Sequence, residues 1–169
     1  FSGLKTNAVN TCLVDREGVL WVGTVGEGIA SKANNYFTFF FRNKLIPKKY
    51  SFLLVNDVYL YVATGSEVLQ YSKHDFNIIS KWGHDNGLPD NTISCFAFNQ
   101  DSTLFVGTEE KGVYYKTKNE DQFTKINLSS DLLSNSILSI ASSNEKLWVG
   151  TLNGVFKVDE KTLGITSYS

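Results

Sequence analysis

The chain has little of what an enzyme or a metal site requires. It contains two histidines, two cysteines and no methionine among 169 residues. No His-x-His, Cys-x-x-Cys or His-Glu-x-x-His spacing occurs, so the sequence predicts no metal site. A Gly-x-Ser-x-Gly turn and a G-x-x-x-x-G-K-[ST] phosphate loop are missing too. We therefore expect no cofactor and no catalysis by this chain.

Net charge and long apolar runs are also lacking. Sixteen basic and seventeen acidic residues leave a net charge of −1. This balance gives no electrostatic footprint for nucleic acid, so no nucleic-acid partner is predicted. No apolar stretch approaches the roughly 20 residues of a membrane-spanning helix. The missing methionine favours the interpretation that the chain is a piece of a longer protein.

The two cysteines, Cys12 and Cys95, are too few for a disulfide framework. In the repeat described next, Cys95 corresponds to Thr11, and Cys12 corresponds to Phe96. Their side chains are therefore expected on opposite faces of their sheets. We expect two buried free thiols rather than a disulfide.

A five-residue motif recurs four times along the chain. It reads LWVGT at 20–24, LYVAT at 60–64, LFVGT at 104–108 and LWVGT again at 147–151. A period in the forties with several short strands per unit is typical of propeller blades. The structural residues of the repeat are Trp21, Gly23, Thr24, Gly107, Thr108, Trp148, Gly150 and Thr151.

Each repeat predicts a four-stranded antiparallel blade, so the fold class is an all-β propeller with almost no helix. The predicted blades span 3–43, 44–83, 84–128 and 129–169, within one propeller segment covering 1–169. The motif is the second strand and is expected to be buried on both faces, ending at a glycine where a neighbouring backbone comes close. Apolar spacing in 129–141 also suits a helix, but its match to 87–98 favours a turn and a strand.

Four blades leave two arrangements open. One is an arc cut from a larger ring, which we favour. The other is a closed four-blade ring, or an oligomer that covers the two end faces. Exposed end faces would be large apolar patches, which soluble monomers avoid.

The repeat unit resembles the two-component regulator propeller repeat. In the first unit the resemblance lies in Gly3, Leu4, Asn7, Val9, Asp15, Gly18, Leu20, Trp21, Gly23, Thr24 and Gly28. In the third it lies in Asn86 to Pro89, Asn91, Ile93, Leu104, Gly107, Thr108 and Gly112, and in the fourth in Leu133, Asn135, Ile137, Leu147, Trp148, Gly150, Thr151, Asn153 and Gly154. The second unit departs, with Tyr61 in place of Trp and Ala63 in place of Gly.

The resemblance implies a function that the spacing alone does not. Such repeats form the periplasmic sensor region of Bacteroides-type hybrid two-component histidine kinases, inner-membrane proteins with seven-bladed propellers. Many of these sensors respond to oligosaccharides and regulate transcription. The partners so implied are an oligosaccharide ligand, the remaining blades of the parent chain and a second copy in a homodimer. The kinase domain would lie outside this chain.

Candidate ligand-binding residues lie in the loops that the topology places at one face of the propeller. Trp82, His84 and Asp85 occupy the distinctive loop 82–90, where the ring could stack on a sugar and the polar groups could bond it. The alternative for Trp82 is packing on an outer strand. The other candidates, from turns between second and third strands, are Glu27, Glu109, Lys111 and Asn153. Two further functions stay open: a polysaccharide lyase, with acid and base groups clustered among these residues, and a protein–protein scaffold.

Overall fold

The computed structural model describes residues 3–4, 8–25, 27–40, 52–127 and 136–168. These residues form four antiparallel four-stranded sheets in which each strand pairs with the next along the chain. Sheet 1 contains β1 Val9–Val14, β2 Leu20–Thr24, β3 Ile29–Lys32 and β4 Thr38–Phe40; sheet 2 contains β5 Phe52–Val55, β6 Tyr59–Thr64, β7 Glu67–Ser72 and β8 Ile78–Trp82. Sheet 3 contains β9 Ile93–Phe98, β10 Leu104–Thr108, β11 Val113–Lys116 and β12 Thr124–Lys125; sheet 4 contains β13 Ile137–Ser143, β14 Lys146–Thr151, β15 Gly154–Asp159 and β16 Ile165–Tyr168.

The predicted strand pattern is confirmed in all four sheets. Each LWVGT-like motif is a second strand, and the region that also suited a helix enters strand β13 at Ile137. The turn predicted before β13 falls in 128–135, outside the described residues. Within the described ranges the only helix is a 3-10 helix at His84–Asn86, and none is long and apolar enough to cross a membrane.

The chain divides into two compact units, Phe1–Lys81 and Trp82–Ser169. Sheets 1 and 2 belong to the first unit, except for the last residue of β8, and sheets 3 and 4 belong to the second. Every sheet lies within one of the four predicted repeats. That all four form one domain stays a prediction.

In the first unit, sheet 1 packs one face on sheet 2 around Trp21. The Trp21 ring lies 6.0 Å from the Phe40 ring and 6.1 Å from the Phe76 ring, and these two phenylalanines stack at 3.9 Å. The buried side chains of this core come from both sheets: Trp21, Ile29, Leu53, Leu60, Val62, Leu69 and Tyr71. Large apolar side chains of this kind contribute about 1.5–3 kcal/mol each on burial, so this contact joins the two sheets.

In the second unit, a glycine lets sheet 3 approach sheet 4. A Cβ on Gly107 would lie 2.5 Å from Cys95 Sγ and 2.6 Å from Ile137 Cγ2, the latter on the first strand of sheet 4. At Gly150 the nearest atom would be Ser139 Oγ, again at 2.5 Å. The expectation of a close backbone is therefore wrong at these two positions, because side chains fill the space that the missing Cβ leaves.

Second strands are buried on both faces in three sheets but not in the fourth. Trp21, Tyr61 and Phe105 are 4%, 6% and 3% exposed, whereas the equivalent Trp148 is 37% exposed. Trp148 shares an open sheet face with Lys157 and Tyr168: the two rings lie 5.7 Å apart, and the Lys157 Nζ lies 5.8 and 5.4 Å from them. The prediction of two-sided burial is thus wrong for β14.

Turns between first and second strands begin with an Asx residue whose side chain bonds the turn backbone. Asp15, Asn56 and Asn99 each accept two backbone N–H groups through Oδ1. Such bonds fix a turn locally, which explains the polar residues that the sequence carries there. In sheet 4 the predicted turn over 142–146 is shorter: Asn144 and Glu145 alone form it, with φ of 52° and 60°.

The two cysteines differ in exposure. Cys12 pairs with Val22 and Cys95 pairs with Gly107, which places them on opposite faces of equivalent sheets, as expected. Both are free thiols, but Cys12 is exposed and only Cys95 is buried. The expectation of two buried thiols is therefore wrong for Cys12.

Candidate functional site

The loop that contains Trp82, His84 and Asp85 lies along the edge of sheet 3. The backbone carbonyl of Asn86 accepts the backbone N–H of Phe123 at 2.8 Å, and the side-chain Nδ2 of Asn86 donates to the Asp121 carbonyl at 3.2 Å. Gln122 donates its Nε2 to the Asp85 carbonyl at 3.3 Å. These bonds hold the 3-10 helix against the segment that enters β12.

Gly87 permits this close approach. Its φ is +81°, and a Cβ there would lie 2.5 Å from the Phe123 carbonyl oxygen, a backbone atom that cannot move aside. Leu88 is buried directly after it. The Gly-Leu pair of the repeat thus fixes the loop to its own sheet, with the only side chain of the pair buried.

Trp82 is a packing residue in this structure. Its side chain is buried, and its ring lies edge-on to Phe123 with centroids 6.4 Å apart. The Lys116 Nζ lies over the ring at 4.7 Å from the centroid. A sugar therefore finds no open face of the indole, and packing, the alternative from the sequence, is the arrangement observed.

Lys116 is a buried cation that no motif of the sequence indicates. Its Nζ donates to the carbonyls of Thr117 at 3.2 Å and Glu120 at 2.7 Å. Burial lowers the pKa of Lys116 below its ordinary value, although the nearby Asp121 and Glu120 oppose this shift. A lysine at a strand end gives no pattern in the sequence, because its role depends on the distant Trp82.

The turn between β10 and β11 carries the other candidates of this unit, Glu109 and Lys111. Glu109 donates its backbone N–H to the Thr92 carbonyl at 2.9 Å, and Glu110 donates its own to Asn91 Oδ1 at 3.0 Å. The chain entering the first strand therefore meets the turn after the second strand, as the topology predicts. The corresponding bond in the first unit joins Val25 N–H to the Ala8 carbonyl at 2.9 Å.

The structure separates the predicted residues of loop 82–90 from those of this turn. His84 and Asp85 lie beside the segment before β12, at one end of β11, while Glu109 and Lys111 lie at its other end. Four residues of β11 intervene, which corresponds to about 10 Å. The prediction that all of loop 82–90 lies at the turn face is wrong for His84 and Asp85, since the loop descends along the sheet edge.

In three of the four sheets, a threonine hydroxyl closes the turn after the second strand with a hydrogen bond to a glycine carbonyl. Thr24 and Thr108 donate their hydroxyls to the carbonyls of Gly28 and Gly112 at 2.7 and 2.8 Å. Thr151 donates to the Gly154 carbonyl at 3.1 Å and also accepts the backbone N–H of Asn153. In sheet 2 the equivalent Thr64 hydroxyl is buried and has no partner. The repeated threonine therefore shapes the turn, and the deviant second repeat leaves its hydroxyl unused.

The remaining candidates lie in turns of other sheets. Asn153 lies in the exposed turn of sheet 4, and Glu27 belongs to the first unit. Among the described residues, no hydrogen bond or ion pair joins His84, Asp85 or Glu109 to one another, and no group of three His, Cys, Asp or Glu side chains could hold a metal ion. Other residues from the same predicted face, at 26, 44–49 and 129–134, lie outside the described ranges.

These features define the class of protein. Successive four-stranded antiparallel meanders, each stacked on the next within its unit, are β-propeller blades, and the chain is an all-β propeller segment. Residues 3–26, which contain the first and second strands of sheet 1, match the model of the two-component regulator propeller. The resemblance deduced from the repeats is thereby confirmed for the first repeat.

Solved structures show the same fold across nearly the whole chain. The extracellular domain of the hybrid two-component system BT4673 from B. thetaiotaomicron matches 98% of this chain with a TM-score of 0.78 at 22% identity. The extracellular domain of BT3049 from the same organism matches 99% of this chain with a TM-score of 0.75 at 17% identity. The WD40 domain of Neurospora crassa Pan2 matches 95% of this chain with a TM-score of 0.74 at 16% identity.

The chain spans only part of each of these proteins. It covers 22% of the BT4673 structure, 25% of the BT3049 structure and 49% of the Pan2 domain. Among curated proteins, none matches the chain.

Proposed function

We propose that this chain is a non-catalytic segment of the extracytoplasmic sensor propeller of a hybrid two-component histidine kinase. One observation carries the proposal. The first repeat matches the two-component regulator propeller, within a chain whose fold matches the extracellular domains of two hybrid two-component systems. The parent protein is then an inner-membrane sensor kinase that regulates transcription, with its kinase domain outside these residues.

The ligand proposed for the intact sensor is a glycan-derived oligosaccharide. The turn Glu109–Lys111 is the part of this chain best suited to contact it. Its backbone is held by Thr92 and Asn91, while the side chains of Glu109, Glu110 and Lys111 remain exposed. Charged groups on a fixed backbone can bond sugar hydroxyls with little loss of conformational entropy.

The proposal is tested by a thermal-shift screen of the intact protein against defined oligosaccharides. A ligand at about 100 times its Kd should raise the Tm by roughly 5–10 °C, because it binds only the folded state. Lys111→Ala should reduce that shift. Lys118→Ala, in the exposed turn at the other end of β11, is the matched control and should leave it unchanged. Absence of a shift with every oligosaccharide would contradict glycan sensing.

We also propose that a further blade of the parent protein covers the open face of sheet 4. Trp148, Lys157 and Tyr168 occupy the face that, in sheet 1, packs on sheet 2 through Trp21. Acrylamide quenching of a chain that keeps Trp148 as its single tryptophan tests this. Quenching should be strong in the 169-residue chain and weak in the intact protein. Equal quenching in both would contradict a covering blade and would instead favour a second copy or an open face.

A further inference from the structure

Neighbouring sheets are joined at their turns by a polar contact that occurs twice with opposite chemistry. We call the pair Asp15 and Lys73 the first turn contact, and the pair Asn99 and Glu160 the second turn contact. Asp15 and Asn99 directly follow the first strands of sheets 1 and 3. Lys73 and Glu160 directly follow the third strands of sheets 2 and 4. The two contacts are therefore equivalent by position.

In the first turn contact, the carboxylate of Asp15 accepts four hydrogen bonds. Its Oδ1 accepts the backbone N–H groups of Glu17 and Val19 at 3.0 and 2.9 Å. Its Oδ2 accepts Trp21 Nε1 at 2.9 Å and Lys73 Nζ at 3.3 Å. The side chains of Asp15 and Lys73 are 4% and 14% exposed, so neither group can replace its partner with bulk water.

In the second turn contact, the amide of Asn99 has a donor where Asp15 has an acceptor. Its Oδ1 accepts the backbone N–H groups of Asp101 and Thr103 at 3.0 and 2.9 Å. These two donors hold the oxygen toward the turn, so the Nδ2 group points to the next sheet. It donates to Glu160 Oε2 at 2.9 Å, while Glu160 Oε1 accepts the Ser142 hydroxyl at 2.6 Å.

The aromatic residue six positions later agrees with this difference. Trp21 has an N–H group that needs an acceptor, which the carboxylate of Asp15 provides. Phe105, at the same place in sheet 3, has no such group. Asn99 can therefore present its amide N–H₂ without facing a second donor. Two consistent sets result: tryptophan, aspartate and lysine in one pair of sheets, and phenylalanine, asparagine and glutamate in the other.

We propose that these turn contacts determine which sheet can pack on which. Sheet 1 accepts a neighbour whose third-strand turn begins with a cation, and sheet 3 accepts one whose turn begins with an acceptor. Exchanging the neighbours would place Glu160 against the Asp15 carboxylate, or Lys73 against the Asn99 donor. The apolar packing cannot make this distinction, because the buried second strands repeat nearly the same sequence.

The test is a set of substitution cycles in the 169-residue chain, followed by thermal unfolding. Lys73→Glu and Glu160→Lys should each lower the Tm by about 5–10 °C. The first places a carboxylate against the buried side chain of Asp15, and the second places a donor against the half-buried Nδ2 group of Asn99. Lys161→Glu is the matched control, because it changes the net charge by the same amount in an exposed ion pair with Glu145. It should lower the Tm by less than about 2 °C.

Two combinations separate pairing from net charge. The Lys73→Glu/Glu160→Lys double variant keeps the net charge of the chain, yet both contacts are mismatched, so its two Tm losses should add. In the Asn99→Asp background, Glu160→Lys recreates the chemistry of the first turn contact and should raise the Tm instead of lowering it. Lys73 Nζ also pairs with Glu17 Oε2 at 3.3 Å, so the matched background must neutralise this carboxylate too. Lys73→Glu should then cost less than about 2 °C in the Asp15→Asn/Glu17→Gln/Trp21→Phe background.

Two outcomes would overturn the proposal: a charge-conserving double variant within about 3 °C of the wild type, or no gain from Glu160→Lys in the Asn99→Asp chain. If Lys73→Glu does not fold, the cycle at Asn99 and Glu160 gives the same decision in the other pair of sheets. Recovery of the Tm in the backgrounds that restore a matching partner is the decisive result, because residues that each stabilise the chain independently would not produce it.

Discussion

Gly107 and Gly150 are the residues before the last in equivalent second strands, and we expect very different results from the same substitution at each. In Gly107→Ala the new Cβ would lie 2.5 Å from Cys95 Sγ and 2.6 Å from Ile137 Cγ2. Both neighbours are buried, and Ile137 belongs to the next sheet. Overpacking of this kind costs about 1–3 kcal/mol. The lower chain entropy of unfolded alanine offsets about 0.4–1 kcal/mol of this cost.

In Gly150→Ala the new Cβ would meet mainly Ser139 Oγ at 2.5 Å, with the Cβ and the carbonyl oxygen of Ser139 at 3.8 Å. Ser139 is exposed, so its hydroxyl can turn to another rotamer at little cost. The free energy of unfolding should then change by less than about 0.5 kcal/mol. Gly150→Ala is therefore the matched control, with the same chemical change at the same place in the repeat.

Urea unfolding of both variants measures the difference, since the midpoint shifts at constant slope when only stability changes. Gly107→Ala should be less stable than Gly150→Ala by roughly 1–2 kcal/mol. Adding Cys95→Ala to Gly107→Ala should cost less than it does in the wild type, because it removes one of the two clashing atoms. Equal stability of the two glycine variants would refute the reasoning that the packing of sheet 3 on sheet 4 depends on the missing Cβ.

Three further predictions concern single groups. Thr108→Val should destabilise the chain by about 1 kcal/mol, because the Gly112 carbonyl loses its hydroxyl donor. Thr64→Val should be neutral or stabilising, because the Thr64 hydroxyl is buried without a partner. The midpoints of urea unfolding measure both effects, and an equal loss of stability in the two variants would contradict this account. Burial raises the pKa of Cys95 to about 11, whereas Cys12 is exposed. A thiol reagent at pH 8 should therefore label one cysteine in the folded chain and two in urea. Rapid labelling of both cysteines in the folded chain would contradict the structure. Burial alone would raise the pKa of Asp15, but hydrogen bonds from Trp21, Val19 and Lys73 outweigh it and lower the pKa. The stabilisation by Asp15 is thus present above the unfolded pKa of about 3.9 and is lost as the pH falls through the folded pKa. Asp15→Asn should therefore flatten the decline of the urea midpoint below about pH 4, and an unchanged decline would count against this role of Asp15.

The strands were predictable because their signal is local and repeated. The first and second strands of sheet 1 and the third strand of sheet 2 begin and end where the repeat alignment places them. A buried strand needs a short apolar run with turn residues at its ends, and both features are visible in a single segment. Four copies in phase then favour a strand over the helix that the spacing in 129–141 also allowed, and the described part of this segment enters β13 at Ile137.

Exposure was harder to predict, because it depends on what packs against each face. LWVGT occurs at both 20–24 and 147–151, yet Trp21 is buried under sheet 2 while Trp148 lies on an open face. The repeat correctly predicts the strand and the face on which each ring lies. It contains no information on whether another sheet covers that face.

The candidate ligand residues show the same limit for loops. Loop 82–90 is long enough to reach either end of sheet 3, and hydrogen bonds of Asn86 and Gln122 hold its first half beside β12. These bonds join residues 35 and 37 positions apart. A sequence pattern that covers one loop at a time cannot indicate them, so His84 and Asp85 could not be separated from Lys111 without the structure.

Repetition itself creates a problem of recognition between sheets. When several sheets have nearly the same apolar faces, any two of them bury similar areas on contact, and the hydrophobic effect, being non-directional, favours no particular pair. Directional groups at the edge of the contact can make the choice, because a mismatched donor or acceptor there has no water to compensate it. The turn residues that differ between repeats, Asp15 against Asn99 and Lys73 against Glu160, are such groups. Variation among otherwise regular repeats is therefore where the order of the sheets is specified, while the repeated motif specifies only that sheets form.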